Sequence, residues 1–117
     1  MANKARGEID AEFDGQTFRL CLTLGALAEL ESAFGAADLV ELAERFEKRR
    51  LSARDLARII GCGLRGAGHA ISDEEAARMT VSGGLAAYAK VAADLLVAAF
   101  GEAPAEGAQN PPQPQDA

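Results

Sequence analysis

The feature that most constrains this chain is a change of hydrophobic period at Thr23. Before it, Phe18, Leu20 and Leu22 recur every second residue, as on a strand with one buried face. After it, Leu24, Leu27, Leu30 and Phe34 recur at helical spacing. The Thr23 hydroxyl can accept from a first-turn N–H, and Gly35 can take the left-handed conformation that closes the far end of the helix. A strand thus feeds directly into a helix, each with an apolar face, and the remaining elements must assemble on that corner.

Upstream, Ile9, Ala11 and Phe13 alternate with Glu8, Asp10 and Glu12, which reads as a half-buried strand. Asp14-Gly15 then supplies the dipeptide that best tolerates the positive φ angles of a type I′ two-residue turn. That turn fixes the register of a hairpin over 8–22: Phe13 faces Gln16, Ala11 faces Phe18, Asp10 faces Arg19 and Ile9 faces Leu20. Every apolar residue of both strands except Cys21 then falls on one face. A two-stranded ribbon is not stable alone, so this face must cover helices.

The rest of the chain reads as helix. About 24–34 is followed by 38–48, capped by Asp38, with Leu39, Leu42, Ala43 and Phe46 on one stripe and favourable Glu41–Arg45 and Glu44–Lys48 pairs. Ser52 and Asp55 have capping-box spacing and open a helix over 52–66, with Leu56, Ile59, Ile60 and Leu64 as its buried stripe. Its second half holds Gly61, Gly63, Gly66 and Gly68. Close packing against another helix would account for the first two, and the last two are expected to end the helix. Ser72 to Glu75 is a second capping box, opening a short helix over 72–80, and 84–100 is apolar almost all round apart from Lys90 and Asp94. The fold class is therefore α+β, mostly α: an N-terminal β-hairpin packed on about five helices within a single domain, 1–101. All four prolines fall after Gly101, and 102–117 reads as a disordered Pro/Gln-rich tail.

Composition excludes some partners. A net charge of −6 argues against nucleic acid or an anionic membrane, and the basic residues Lys4, Arg6 and Lys48-Arg49-Arg50 are too few, in acidic surroundings, for a phosphate footprint. The run 85–100 is shorter than the roughly 20 residues of a membrane span. With no apolar core in the N-terminal leader and no CxxC spacing between Cys21 and Cys62, a reduced, cytoplasmic protein is expected.

Each candidate for chemistry has a plainer structural account. Gly61 to Gly66 spells GxGxxG, but a helix precedes it and no strand follows, whereas a dinucleotide needs a strand before and a helix after. Cys62 and His69 lack a third group to orient the histidine. Asp73, Glu74 and Glu75 suit the positive end of a helix dipole better than a cation, and Glu31 suits the edge of an apolar arc. No enzyme, cofactor or metal is expected. The apolar residues Leu85, Tyr88, Ala92, Leu95 and Leu96 of the last helix form either a partner surface, a self-association surface or simply core.

The run Leu22 to Glu31 (LTLGALAELE), then Leu51 to Leu56 (LSARDL), Gly63 to Gly68 (GLRGAG) and Ser72 to Glu75 (SDEE) resembles the tail assembly chaperone family of gene transfer agents and tailed phages, whose members are also called tail tube proteins. The likeness extends over about residues 7–100. It implies a cytoplasmic protein of the particle-producing bacterial cell that binds the tape-measure protein, keeps it soluble, assists tail tube assembly, with the tail tube protein as a second partner, and is absent from the mature particle. It also implies that a longer frameshifted form exists in some relatives. Two other classes stay open: a structural tail (tube) component, and a small acidic adaptor or antitoxin-like regulator.

Overall fold

The computed structural model describes residues 7–48 and 51–101. The basic leader, the side chains of the Lys48-Arg49-Arg50 run, the Glu44–Lys48 pair and the 102–117 tail lie outside the described residues. Strands β1 (Glu8–Phe13) and β2 (Gln16–Cys21) are followed by helices α1 (Leu24–Phe34), α2 (Leu39–Lys48), α3 (Ala53–Gly66), α4 (Asp73–Arg78) and α5 (Gly84–Phe100). This is the expected hairpin on five helices.

The hairpin has the register that the turn dictates, with Phe13 opposite Gln16, Ala11 opposite Phe18 and Asp10 opposite Arg19. Both turn residues take positive φ, 53° at Asp14 and 77° at Gly15. Ile9, Ala11, Phe13 and Leu20 are buried on the helix-facing side, with Phe18 partly buried beside them. The hairpin tip is also clasped from afar. The Asp14 N–H donates to the Thr80 carbonyl at 2.9 Å, and the Asp14 carboxylate accepts from the Thr80 N–H at 2.8 Å and its hydroxyl at 2.9 Å.

At the strand-to-helix corner the Thr23 hydroxyl accepts from the Ala26 N–H at 3.1 Å, and Gly35 closes α1 in the left-handed conformation with φ 69°. Leu24 differs from expectation: at 78% exposure it faces solvent, and Ala26 takes its place beside Leu27, Leu30 and Phe34. In α2, Asp38 accepts from the Glu41 N–H at 2.8 Å, and Arg45 reaches Glu41 at 3.0 Å. Of its four-residue stripe only Leu42 is fully buried, while Leu39 keeps 37% of its surface exposed.

The central element is α3. Both bonds of its capping box form, at 3.1 and 3.0 Å, so the short aspartate arm suffices. From Leu56 to Leu64 every position but Arg58 is buried, between β2, α1, α4 and α5. Its glycines explain how neighbours approach so closely. A Cβ on Gly63 would collide with Leu95 of α5 and crowd Leu20 of β2, and one on Gly61 would collide with Asp73 of α4. Gly66 is the last residue of the helix, as expected, and a Cβ there would strike the Cys21 carbonyl oxygen at the end of β2. Gly68, with φ 100°, follows the helix end.

Helix α4 stops at Arg78, two residues short of expectation, because Met79 turns extended. Its capping box also forms, at 3.0 and 2.8 Å. Although α5 is the most apolar helix, it lies against α3 and β1 rather than at the centre, and only Ala92 and Leu95 are fully buried.

Candidate functional site

The apolar side chains that α2 and α5 do not bury face each other across an open groove. Leu39, Val40, Ala43 and Phe46 form one wall, Ala93, Leu96, Val97 and Phe100 the other, with Glu44, Glu47 and Gly101 at the margins, around a volume of about 600 Å³. Val40 is 69% exposed and Val97 50%. The floor is aromatic: Phe34 of α1 meets Phe46 edge to face at 5.3 Å between ring centroids, and Phe46 meets Phe100 at 6.5 Å. Such contacts hold α2 on its neighbours while leaving the slot unfilled.

The five residues singled out on the last helix divide between environments. Ala92 and Leu95 are core. Tyr88 is half-buried, its ring 5.9 Å from that of Phe13 and its hydroxyl donating to the Ala76 carbonyl at 2.7 Å, and burial raises its pKa. Leu85, 70% exposed, stands at the helix start, and Leu96 lines the groove. The sequence reading placed no emphasis on Val40, Val97 and Phe100. A signal for them existed: Val40 is an apolar residue beside the Leu39–Phe46 stripe, and a helix apolar all round must present a second face once the first is packed.

The cysteine and histidine do not form a pair. The Cys62 thiol lies in α3 with Glu29 Oε1 at 3.5 Å, and burial, reinforced by the Glu29 charge, pushes its pKa up to about 12. A thiol in that state is not a nucleophile at neutral pH. His69 instead packs edge-on against Phe18 at 5.3 Å. The GxGxxG letters fall inside α3, where the glycines admit side chains and backbone of the chain itself. Asp73 forms an ion pair with Arg65 at 3.0 Å, and Arg65 also binds Glu29 at 2.9 Å and the Ile71 carbonyl at 2.9 Å. The Arg65 hydrogen bond holds the Glu29 carboxyl below the usual carboxylate range. Among the described residues no three His, Cys, Asp or Glu side chains gather at a metal-binding position, and no helix is long and apolar enough to cross a membrane.

A β-hairpin laid over a five-helix body, with an open apolar groove at one side, defines a small α+β domain. The chain belongs to the family described as phage tail tube protein, GTA-gp10, whose sequence model matches residues 6–102. It is thereby a gene transfer agent or phage tail-related protein. No curated protein and no solved structure matches it.

Proposed function

We propose that this protein is a non-enzymatic tail assembly chaperone that binds the tape-measure protein in the producing cell and assists assembly of the tail tube. The observation that carries this reading is the open apolar groove between α2 and α5, lined by Leu39, Val40, Leu96, Val97 and Phe100. A long helical client exposes apolar stripes until it is packaged, and a groove of this kind covers such a stripe by helix-in-groove contact. The described residues contain two strands, in one hairpin. That is little sheet from which to stack a ring.

The family description favours a second reading, in which the protein is itself a tube component. Affinity purification of the tagged full chain from producing cells, with mass spectrometry of purified particles, separates the two. The chaperone reading expects the tape-measure protein among the co-purified proteins and little or none of this chain in finished particles. Recovery of the chain in particles at the stoichiometry of a tube ring would overturn it.

A further inference from the structure

The sequence holds a single Asp-Gly step, Asp14-Gly15, and it occupies the two central positions of the hairpin turn. Such a step can close on itself, because glycine has no side chain to shield its amide nitrogen. The Gly15 nitrogen attacks the Asp14 side-chain carboxyl carbon, a C–N bond forms, and the hydroxyl of the protonated carboxyl leaves with the amide proton as water. Water then reopens the five-membered imide. Addition at the side-chain carbonyl restores aspartate, whereas addition at the main-chain carbonyl leaves the chain running through the β-carbon as isoaspartate. One extra main-chain atom is incompatible with the two-residue turn that sets the hairpin register.

The imide ring fixes both the Asp14 main-chain torsion that precedes Gly15 and its side-chain torsion, and each is already held by something else. The turn holds the main chain, with φ 53° at Asp14 and 77° at Gly15. Thr80 holds the side chain, donating its N–H at 2.8 Å and its hydroxyl at 2.9 Å to Asp14 Oδ1, while the Asp14 N–H donates back to the Thr80 carbonyl at 2.9 Å. Asp14, Gly15 and Thr80 are all exposed, so water reaches the step freely and the hydrogen bonds alone restrain it. We propose that Asp14 is a site of isoaspartate formation whose rate is set by the Thr80 clasp, slow while the clasp is closed and fast in chains where it is open. The free carboxyl of the product hangs directly from the α-carbon, one bond nearer the main chain, so the original pair of bonds to Thr80 does not re-form and the hairpin tip stays loose.

The test incubates the full chain at neutral pH and measures isoaspartate with an isoaspartyl methyltransferase and labelled S-adenosylmethionine. Electron-transfer fragmentation of the tryptic peptide Gly7–Arg19 then separates Asp14 from Asp10. The folded wild type is expected to isomerise at Asp14 at least about tenfold more slowly than the same chain unfolded in urea. Thr80→Val, which loses the hydroxyl donor, should react about three- to tenfold faster than wild type, while Thr80→Ser keeps the donor and the wild-type rate. Leu95→Ala lowers global stability without touching the clasp, and below its melting transition it should keep the wild-type rate. Wild type in urea below its unfolding transition should show a nearly constant rate, as expected for a local opening that exposes little surface. A folded wild type that isomerises as fast as the unfolded chain overturns the proposal, as does a Thr80→Val rate equal to wild type or matched by Leu95→Ala. A wild-type rate that climbs with urea in step with global unfolding overturns it as well, and that measurement decides the matter even if Thr80→Val does not fold.

Discussion

Arg65 joins three helices through one guanidinium. From α3 it reaches Glu29 of α1 and Asp73 of α4, and it donates to the Ile71 carbonyl between α3 and α4. Arg65→Met keeps the aliphatic stem and removes those bonds, and should cost about 1–3 kcal/mol in urea unfolding, toward the lower end because Glu29 is exposed. The pH dependence has a definite sign. Glu29 has a folded pKa below its unfolded value of about 4.3, so its contribution is present above that value and is lost as pH falls through the folded pKa. Wild type should therefore lose stability below about pH 4.3 more steeply than Glu29→Gln, as denaturant midpoints across that range would show. Cys62 behaves oppositely: its pKa is raised to about 12, so its stabilisation holds below the ordinary thiol range and fades as pH rises through the folded value. At pH 8 a thiol reagent should modify the partly exposed Cys21 and reach Cys62 only when denaturant is added.

Paired glycine substitutions test the packing of the helices. Gly25→Ala in α1 adds a methyl with only ordinary contact to Thr23, so helix propensity should raise stability by about 0.5–1 kcal/mol. Gly66→Ala in α3 drives the same methyl into the Cys21 carbonyl oxygen, and overpacking should outweigh propensity for a net loss of about 1–3 kcal/mol in thermal melts. The signs differ although both glycines lie in helices. The capping boxes at Ser52 and Ser72, the turn at Asp14-Gly15 and the period change at Thr23 were legible because each is a local rule between residues a few positions apart. The central place of α3 was not. Its chain of alternating charges and apolar residues looks less buried than that of α5, and only its glycines hinted at close neighbours on several sides. Period likewise placed Leu24 on an apolar stripe, but it stands in the first turn of its helix and is left largely in solvent. Of the groove, the all-apolar character of α5 and the Leu39, Ala43 and Phe46 stripe of α2 were visible, but not that they face each other, since spacing within one helix says nothing about which helix lies opposite.

As a whole, the molecule has a well-packed side and an open one. The hairpin, α3, α4 and the inner face of α5 share fully buried Phe13, Leu20, Ile59, Ile60, Leu64 and Leu95, whereas α2 contributes Leu42 and leaves Val40 in solvent. Leu95→Ala should therefore remove about 2–5 kcal/mol, by calorimetry or denaturant melt, while Val40→Ala should change stability by less than about 0.5 kcal/mol. An apolar side chain such as Val40 that adds little to the fold is left free to meet another surface. The clasp between Asp14 and Thr80 has a consequence for how this body comes apart. It spans 66 positions, so the ribbon near one terminus cannot peel away without also releasing the connection that leads into the final helix. A scanning calorimeter should accordingly record one heat-absorption peak with matching van't Hoff and calorimetric enthalpies, and Thr80→Val should lower that peak without splitting it.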